Sequence, residues 1–425
     1  MAVTRKSLTP FTPELLSQAR SRFPALATPW ALFDNAGGSV PLGGVIDRVT
    51  GYMRRYGVQL GASYELSQQA GALVAEGHRA AEALIGAGPG EVFLGPSTTA
   101  NLRLLARALR PLWTAGDEVI VTNLDHEANV SPWRWLEAEG MHVREWRMRP
   151  GTQALHAEDL DALLSPRTRL VAFTHCANVV GTIHDAAGIV ARVHAAGALA
   201  CLDGVAFAPH RFVDVKAIGA DFYGISLYKL YGPHLGMLYG RHELLECARG
   251  QYHFFHVESE LPYKLEPGGV VHELAASVPG ILEYLLELEA GLPAAAPVMP
   301  AGAVRSRLAR AFDAIARHES ALVAPLLEFL GDRRGVRVLG EPSADPSRRV
   351  PTVAFTVEGR KASEFPPMLD ARHVAVRYGH FYAYRAIEAL GLLERDGVVR
   401  VSMAHYNTSA EVTRLIEALD EVLPS

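Results

Sequence analysis

The sequence is poor in cysteine. Its 425 residues contain three, Cys176, Cys201 and Cys247, and no two of them have CxxC spacing. So few thiols exclude a disulfide scaffold, give no support to a structural zinc site, and are typical of proteins from a reducing compartment. We therefore expect a cytoplasmic protein without a bound metal.

A long apolar run is also absent. The longest stretch without a charged residue or histidine, 290–304, is interrupted by three prolines, whereas a membrane-spanning helix needs about 20 continuous apolar residues. Residues 1–13 include two basic side chains, but no apolar segment typical of a secretion signal follows them. The sequence therefore predicts neither a membrane span nor a secretion signal.

Positive charge is not in excess, and the common nucleotide and hydrolase motifs are incomplete. Lys and Arg number 41 against 46 Asp and Glu, a net charge of −5, which is unfavourable for binding a nucleic-acid backbone. No GxxxxGK[ST] segment occurs, and none of the four His-Glu pairs is completed to HExxH. We therefore do not expect a nucleic-acid-binding protein, a P-loop nucleotidase or a zinc protease.

Short apolar runs that are present predict a sheet between residues 90 and 240. The runs are 92–94, 119–121, 170–174, 199–202, 222–225 and 237–239. They do not alternate apolar with polar residues, as expected for strands buried on both faces of a parallel sheet. Segments 102–109 and 187–194 have helical apolar spacing and indicate crossover helices. This region is predicted to be an α/β sheet with helices on both faces.

The C-terminal part differs in composition. A stretch rich in Pro and Ala separates a helical pattern at 282–288 from another at 305–330, and strand-like runs and a closing helix at 409–423 follow. We predict an N-terminal segment that packs with the small domain (1–30), a large α/β domain (31–290), a linker (291–304) and a small α+β domain (305–425).

Candidate functional residues follow the predicted strands, because ligands bind at the carboxyl ends of strands in open α/β sheets. Thr98 and Thr99 open a helix, where hydroxyls and free N–H groups form an anion site, although a simple N-cap explains them equally well. His126 could be a base, a ring that stacks on a ligand, or a surface residue. Asn178 could donate to a phenolate oxygen or form a turn.

Two ionisable residues follow two further predicted strands. Asp203 follows an apolar run, and its carboxylate is costly to bury unless it meets a cation, either a ligand's ring nitrogen or a nearby basic side chain. Lys229 stands among apolar and aromatic neighbours. Desolvation would lower its pKa towards the neutral amine that imine formation needs, but many lysines at strand ends simply extend to solvent.

These signals occur together, and one cofactor requires them all. A phosphate site, a stacking ring, an O3′ donor, a carboxylate for a ring nitrogen and an imine-forming lysine together describe pyridoxal 5′-phosphate. The chain resembles the class V aminotransferase family of fold-type I enzymes, and within it the cysteine desulfurase-like subgroup. The segments that carry the resemblance are 33–38 (FDNAGG), 97–99 (STT), 125–129 (DHEAN), 174–181 (THCANVVG), 203–204 (DG), 226–229 (SLYK), 377–382 (RYGHFY) and 400–408 (RVSMAHYNT).

The resemblance implies a large domain with a mainly parallel seven-stranded sheet, a smaller α+β domain, a homodimer and pyridoxal 5′-phosphate as cofactor. It implies that Lys229 forms the imine (Schiff base) and moves the α-proton. It implies that Asp203 pairs with the cofactor's ring nitrogen, that His126 stacks on the ring and takes part in catalysis, and that Asn178 donates to the O3′ oxygen. The residues that it assigns to the phosphate are Thr98, Thr99, Ser226 and Tyr228. Those that it assigns to the substrate are Arg400, for the α-carboxylate, and Asn35 and His380.

One departure from the family pattern bears on the reaction. Desulfurases carry a nucleophilic cysteine in a motif that resembles RxGHHC, and this chain has Tyr382 at the cysteine position. An enzyme-bound persulfide is therefore disfavoured. We predict a lyase that works at Cβ of an amino acid, of the C–S lyase or β-elimination type. Alternatives are a β-decarboxylase that forms C–C bonds, an epimerase, an aminotransferase, or a degenerate protein that binds without catalysis.

Overall fold

A seven-stranded sheet and a four-stranded sheet organise the protein. The computed structural model describes residues 11–256, 258–292 and 304–424. The strands are β1 (Ala31–Leu32), β2 (Val92–Gly95), β3 (Glu118–Thr122), β4 (His142–Trp146), β5 (Thr168–Thr174), β6 (Leu199–Asp203), β7 (Phe222–Ser226), β8 (Gly236–Gly240), β9 (Val336–Leu339), β10 (Thr352–Val357), β11 (Val374–Ala375), β12 (Arg377–Gly379) and β13 (Val398–Ser402).

Helices cover the sheets and connect their strands. They are α1 (Pro13–Ser21), α2 (Gly43–Arg55), α3 (Glu65–Ile85), α4 (Thr98–Leu109), α5 (Ser131–Arg134), α6 (Ala157–Asp161), α7 (Ala186–Ala195), α8 (Val215–Ile218), α9 (His242–Cys247), α10 (His272–Ala275), α11 (Pro279–Ala290), α12 (Val304–Gly331), α13 (Phe365–Asp370), α14 (Tyr384–Ala389) and α15 (Ser409–Asp420). None of these described helices combines the length and the apolar character that crossing a bilayer requires.

The large sheet has the order β2-β8-β7-β6-β5-β3-β4. Strands β7, β6, β5, β3 and β4 run parallel to one another, and β8 is antiparallel to both of its neighbours. The predicted α/β class with a mainly parallel seven-stranded sheet is confirmed, and all six predicted runs form strands. Edge strand β4 was not predicted, because it is partly exposed and carries no apolar run.

Both faces of this sheet are buried, as the apolar runs indicated. In β3, Ile120 packs into one core cluster while Val119 and Val121 pack into the cluster on the opposite face. In β5, Val171 packs into the same cluster as Ile120, and Leu170 packs into the cluster on the opposite face. Because successive side chains of a strand point to opposite faces, an unbroken apolar run fills two cores at once.

The C-terminal part has its own core, between the antiparallel sheet β12-β13-β10-β9 and helices α12 and α15. Helix α12 belongs to both parts: Phe312 packs into the core of the large sheet, and Leu326 packs into that of the small one. We propose the predicted division into a large and a small domain on the basis of these separate cores. Most of the predicted linker, residues 293–303, lies outside the described residues, as do residues 1–10 of the N-terminal segment.

The remainder of the N-terminal segment contacts both parts of the molecule. Arg20 of α1 forms an ion pair with Glu411 of α15, 3.1 Å from nitrogen to oxygen, whereas Leu15 packs into the core of the large sheet. Further along, β1 pairs in parallel with β11. The segment before Asp34 therefore contacts both the large and the small part of the molecule.

Candidate active site

Four parallel neighbours, β7, β6, β5 and β3, end at the same edge of the large sheet, and a pocket opens there. It is lined by Ser97, Thr98, Thr99, His126, Ala128, Thr174, Cys176, Asn178, Asp203, Val205, Ala206, Ser226, Tyr228 and Lys229. The sequence-predicted cofactor residues Thr98, Thr99, His126, Asn178, Asp203, Ser226, Tyr228 and Lys229 all belong to this lining. Their roles toward the cofactor remain predictions.

One end of the pocket is the N-terminus of α4. Ser97 caps this helix by accepting a hydrogen bond from the Ala100 N–H, at 3.1 Å, and the Thr98 and Ser226 hydroxyl oxygens lie 2.8 Å apart. A Cβ atom on Gly236 would lie 2.3 Å from the Thr98 nitrogen, so β8 can approach this turn only with glycine. Hydroxyls beside unpaired helix N–H groups suit a phosphate.

Asp203 ends β6 and is 5 % exposed. Its Oδ1 accepts a hydrogen bond from the Val205 N–H at 2.9 Å. Burial raises the pKa of Asp203, and the Val205 N–H and the charge of Lys229 offset part of this rise. A buried carboxylate of this kind is stabilised by a cation in the pocket, such as a protonated ring nitrogen.

Lys229 ends a 3₁₀ turn that follows β7. Its side chain is buried, and within the described part of the chain no group accepts a hydrogen bond from its ammonium. Burial, helped by the positive charge of Arg400, lowers the pKa of Lys229 to about 8. The amine is therefore partly neutral near physiological pH, as nucleophilic attack on an aldehyde requires.

This lowered pKa predicts how cofactor capture depends on pH. We expect the rate at which cofactor-free protein captures pyridoxal 5′-phosphate to rise roughly tenfold per pH unit below pH 8 and to level off above it, because capture needs the neutral amine. Stopped-flow absorbance between pH 6 and pH 10 measures this profile. A rate that keeps rising towards pH 10 would indicate an ordinary, solvated lysine.

His126 follows β3 and begins a 3₁₀ turn. Its Nδ1 accepts a hydrogen bond from the Ala128 N–H at 3.0 Å, which puts the ring proton on Nε2. Burial, together with the charges of Lys229 and Arg400, lowers the pKa of His126 to about 3. The imidazole is therefore neutral, which suits stacking against a planar ring.

Asn178 uses one N–H of its side-chain amide within the protein. Its Nδ2 donates to the Phe381 carbonyl oxygen at 2.8 Å, whereas the buried Oδ1 has no hydrogen-bond partner among the described residues. Because the amide nitrogen carries two hydrogens, one N–H of Asn178 is still available, and its predicted donation to the O3′ oxygen stays a prediction.

Arg400, on β13, is 2 % exposed. Its Nη1 donates to the Asn178 carbonyl oxygen at 3.2 Å and its Nη2 to Asp34 Oδ1 at 3.1 Å. The other Asp34 oxygen accepts from Arg377 Nε at 2.7 Å. Burial lowers the pKa of Arg400 to about 10, and Asp34 opposes that shift. The guanidinium therefore stays charged at neutral pH, and Asp34 lies between two arginines, which the sequence did not indicate.

The two other predicted substrate residues, like Arg400, are not among the residues that line the pocket. The Asn35 amide donates to Leu32 O, Ser402 O and Asn407 Oδ1, and its Oδ1 accepts from the Tyr406 hydroxyl. The side chain of Asn35 therefore makes its hydrogen bonds within the protein, and its substrate role stays a prediction. His380 is exposed, on a loop beside the pocket, and its Nδ1 accepts from the Tyr382 N–H at 3.1 Å. Its substrate role stays a prediction.

A thiol, that of Cys176, also lines the pocket. Cys176 is 1 % exposed, and its Sγ donates to the Gly181 carbonyl oxygen at 3.5 Å. Burial raises the pKa of Cys176 to about 12, so this thiol is protonated and a weak nucleophile at neutral pH. Tyr382, at the family's cysteine position, has its ring 5.2 Å from that of His126.

The residues fit the cofactor that the resemblance implies. The pocket offers a helix N-terminus with hydroxyls at one end, and a buried carboxylate and an unpaired amine at the other. Asn178 Oδ1 and Arg400 Nε are buried polar atoms without a hydrogen-bond partner in the described part of the chain. Such atoms are costly unless a ligand satisfies them.

Comparisons with known proteins agree with this geometry. The family model described as aminotransferase class-V matches residues 31–415. The aminotransferase-like protein FGM3 of Gibberella zeae is 40 % identical over 416 residues, which is 96 % of this chain and 98 % of that protein. The cysteine desulfurase-like protein ustD of Aspergillus flavus is 35 % identical over 423 residues, 96 % of this chain and 90 % of its own length.

A solved structure is similar over nearly the whole chain. The cysteine desulfurase CsdA of Escherichia coli, in its S-sulfonic acid form, superposes with a TM-score of 0.81 at 25 % sequence identity. The match covers 96 % of this chain and 99 % of that one. The predicted fold-type I architecture is thereby confirmed.

Proposed function

Because the chain belongs to the class V aminotransferase family, we propose that this pyridoxal 5′-phosphate enzyme is a lyase that breaks a bond at Cβ of an amino-acid substrate without an enzyme-bound persulfide. The observation that carries the proposal is a pocket that holds an unpaired amine, Lys229, together with a buried carboxylate, Asp203, and whose lining thiol, Cys176, is kept protonated by burial. We also propose that the active protein is a cytoplasmic homodimer, as the resemblance and the composition predict.

The bound cofactor supplies an electron sink for negative charge at Cα. Thr98, Thr99, Ser226 and Tyr228 would hold its phosphate, and Asp203 would keep its ring nitrogen protonated. As a free amine, Lys229 would have a pKa of about 8, which suits proton transfer at neutral pH. We propose that Lys229 removes the proton from Cα.

Arg400 supports the choice of an amino acid as substrate. Its guanidinium is buried and charged, with Nε lacking a protein partner among the described residues. A planar guanidinium binds a carboxylate well because two N–H groups can donate at once. Held at Arg400, the α-carboxylate would fix the Cα–H bond relative to Lys229, so that deprotonation precedes loss of a group at Cβ.

The thiols support elimination over desulfuration. Persulfide transfer needs a thiolate that can reach the substrate's sulfur, but Tyr382 occupies the family's cysteine position and Cys176 is held protonated by burial. Loss of a leaving group from Cβ needs no protein nucleophile. The carbon skeleton then leaves as an enamine, which water converts to a keto acid and ammonia.

A panel of L-cysteine S-conjugates tests this proposal. We expect S-alkyl- and S-aryl-L-cysteines to yield pyruvate, ammonia and free thiol in equal amounts, measured by coupled enzymatic assay and thiol titration. L-Cysteine, added without a reductant so that any persulfide would survive, should leave no persulfide on the protein by mass spectrometry. A persulfide on any cysteine, or no product from the whole panel, would contradict the proposal.

A second candidate, β-decarboxylation followed by C–C bond formation, is favoured by one observation. Arg377 lies near Arg400 through their shared partner Asp34, so a second carboxylate of a substrate could be neutralised there. This reaction predicts release of carbon dioxide from an amino acid with a β-carboxylate, and no thiol from the cysteine conjugates. Measuring both products in the same panel separates the two candidates.

A further inference from the structure

The aromatic ring that covers Arg400 belongs to Phe381. The Arg400 guanidinium carbon lies 3.7 Å from the centroid of this ring, while the two terminal nitrogens donate to Asn178 O and Asp34 Oδ1. Cation–π attraction is strongest where the cation is desolvated, and Arg400 is almost fully buried. With one face covered and both terminal nitrogens engaged, the guanidinium has little freedom to rotate.

Phe381 also holds Asn178, through its backbone. Its carbonyl oxygen accepts the hydrogen bond from Asn178 Nδ2, and its φ is 50°. A bulky residue rarely adopts this left-handed conformation. The next residue, Tyr382, shares it with a φ of 60°, so two strained residues are adjacent, as often occurs at functional sites.

Contacts on both sides keep the loop in this shape. The Tyr382 carbonyl oxygen accepts from the Glu127 N–H at 2.8 Å, and Arg385 pairs with the Glu127 carboxylate at 3.1 Å. The Tyr382 N–H donates to His380 Nδ1. The loop is thereby tied to the turn that carries His126, and Phe381 is presented to Arg400 on a fixed backbone.

We propose that Phe381 is a positioning residue that orients Arg400 to receive the substrate's α-carboxylate and links Arg400 to Asn178. This inference rests on the proposed role of Arg400 in carboxylate binding. Phe381 is half-buried at the edge of a core cluster, so simple core filling is the competing explanation. The two explanations differ in their effect on ligands that have a carboxylate and on those that do not.

The test compares L-serine with ethanolamine, which is the same molecule without the carboxylate. Each is titrated against the holoprotein, and the change in visible absorption of the cofactor gives its Kd. We expect Phe381→Leu to reduce the preference for serine over ethanolamine about tenfold, which is equivalent to about 1.4 kcal/mol and within the range of a desolvated cation–π contact. Phe381→Tyr, which keeps the aromatic face, should stay within about twofold of the wild-type preference.

Tyr378→Leu is the matched control, since it removes a partly exposed ring from the neighbouring strand β12. It should keep the wild-type preference. An unchanged preference in Phe381→Leu, or equal weakening of both ligands, would overturn the inference and leave the proposed function standing. A wild-type protein that binds serine no better than ethanolamine would instead refute the role of Arg400, and the inference with it.

Discussion

Replacing Lys229 by alanine should abolish the borohydride-reducible adduct on the protein and reduce turnover by at least about 10⁴-fold, because both the covalent attachment and the proton transfer depend on this amine. Lys229→Arg should behave in the same way. Arginine keeps a positive charge and a long side chain but cannot form an imine. Absorption spectra, and mass spectrometry of the borohydride-reduced protein, measure attachment directly.

Lys264 provides the control for the Lys229 substitutions, because it is also buried, at 1 % exposure. Its Nζ donates to the carbonyl oxygens of Glu246 and Ala248, at 3.0 and 2.7 Å, and it does not belong to the pocket lining. Lys264→Met should therefore keep the colour and the reducible adduct. A borohydride-reducible adduct on the protein that persists in Lys229→Ala would refute the assignment of the cofactor lysine.

Asp203→Asn should slow removal of the α-proton by about 10²- to 10⁴-fold. Removing one partner of a buried ion pair costs about 3–5 kcal/mol, and each 1.36 kcal/mol of barrier is worth about a factor of ten in rate. The amide keeps the shape of Asp203 and can still accept from the Val205 N–H, but it carries no charge to hold a protonated ring nitrogen. Exchange of the L-serine α-proton in D₂O, followed by NMR, measures this step whatever group later leaves from Cβ.

Asp125 offers a carboxyl for comparison. It is 1 % exposed, and burial, with a contribution from the charge of Asp203, raises the pKa of Asp125 to about 8. It accepts hydrogen bonds from Thr122 Oγ1 and Asn129 Nδ2. Because Asp125 is already mostly protonated at pH 7, Asp125→Asn removes little charge and should change exchange less than about tenfold. An equal decrease in the exchange rate in the two variants would show that α-proton removal depends on a buried carboxyl as such, and not on the charge at position 203.

Much of the pocket was predictable because its residues sit at strand ends. Each of His126, Asn178 and Asp203 follows an apolar run of three to five residues in sequence, and parallel strands bring such ends to one edge. The residue types then limited the cofactor chemistry. No long-range contact had to be known for this step, since the periodicity of the strands and the direction of a parallel sheet already place the groups together.

Residues that act through distant contacts were not predictable. Arg400 and Asp34 form their ion pair across 366 positions of sequence, and neither residue alone shows that a carboxylate lies between two arginines. The unpartnered oxygen of Asn178 depends on a carbonyl 203 positions away. Cys176 is distant from position 382 in sequence, yet it lines the pocket. Only its burial in the folded protein shows that its thiol is protonated.

The sequence by itself determined the α/β class, the strands buried on both faces and the set of groups that suits pyridoxal 5′-phosphate. These features follow from local periodicity and residue type, which short segments carry independently. Tertiary structure decided the desolvation that lowers the pKa of Lys229, the stacking of Phe381 on Arg400 and the engagement of Asn35 within the protein. Desolvation and geometry depend on how the two sheets pack together, which is a property of the whole chain.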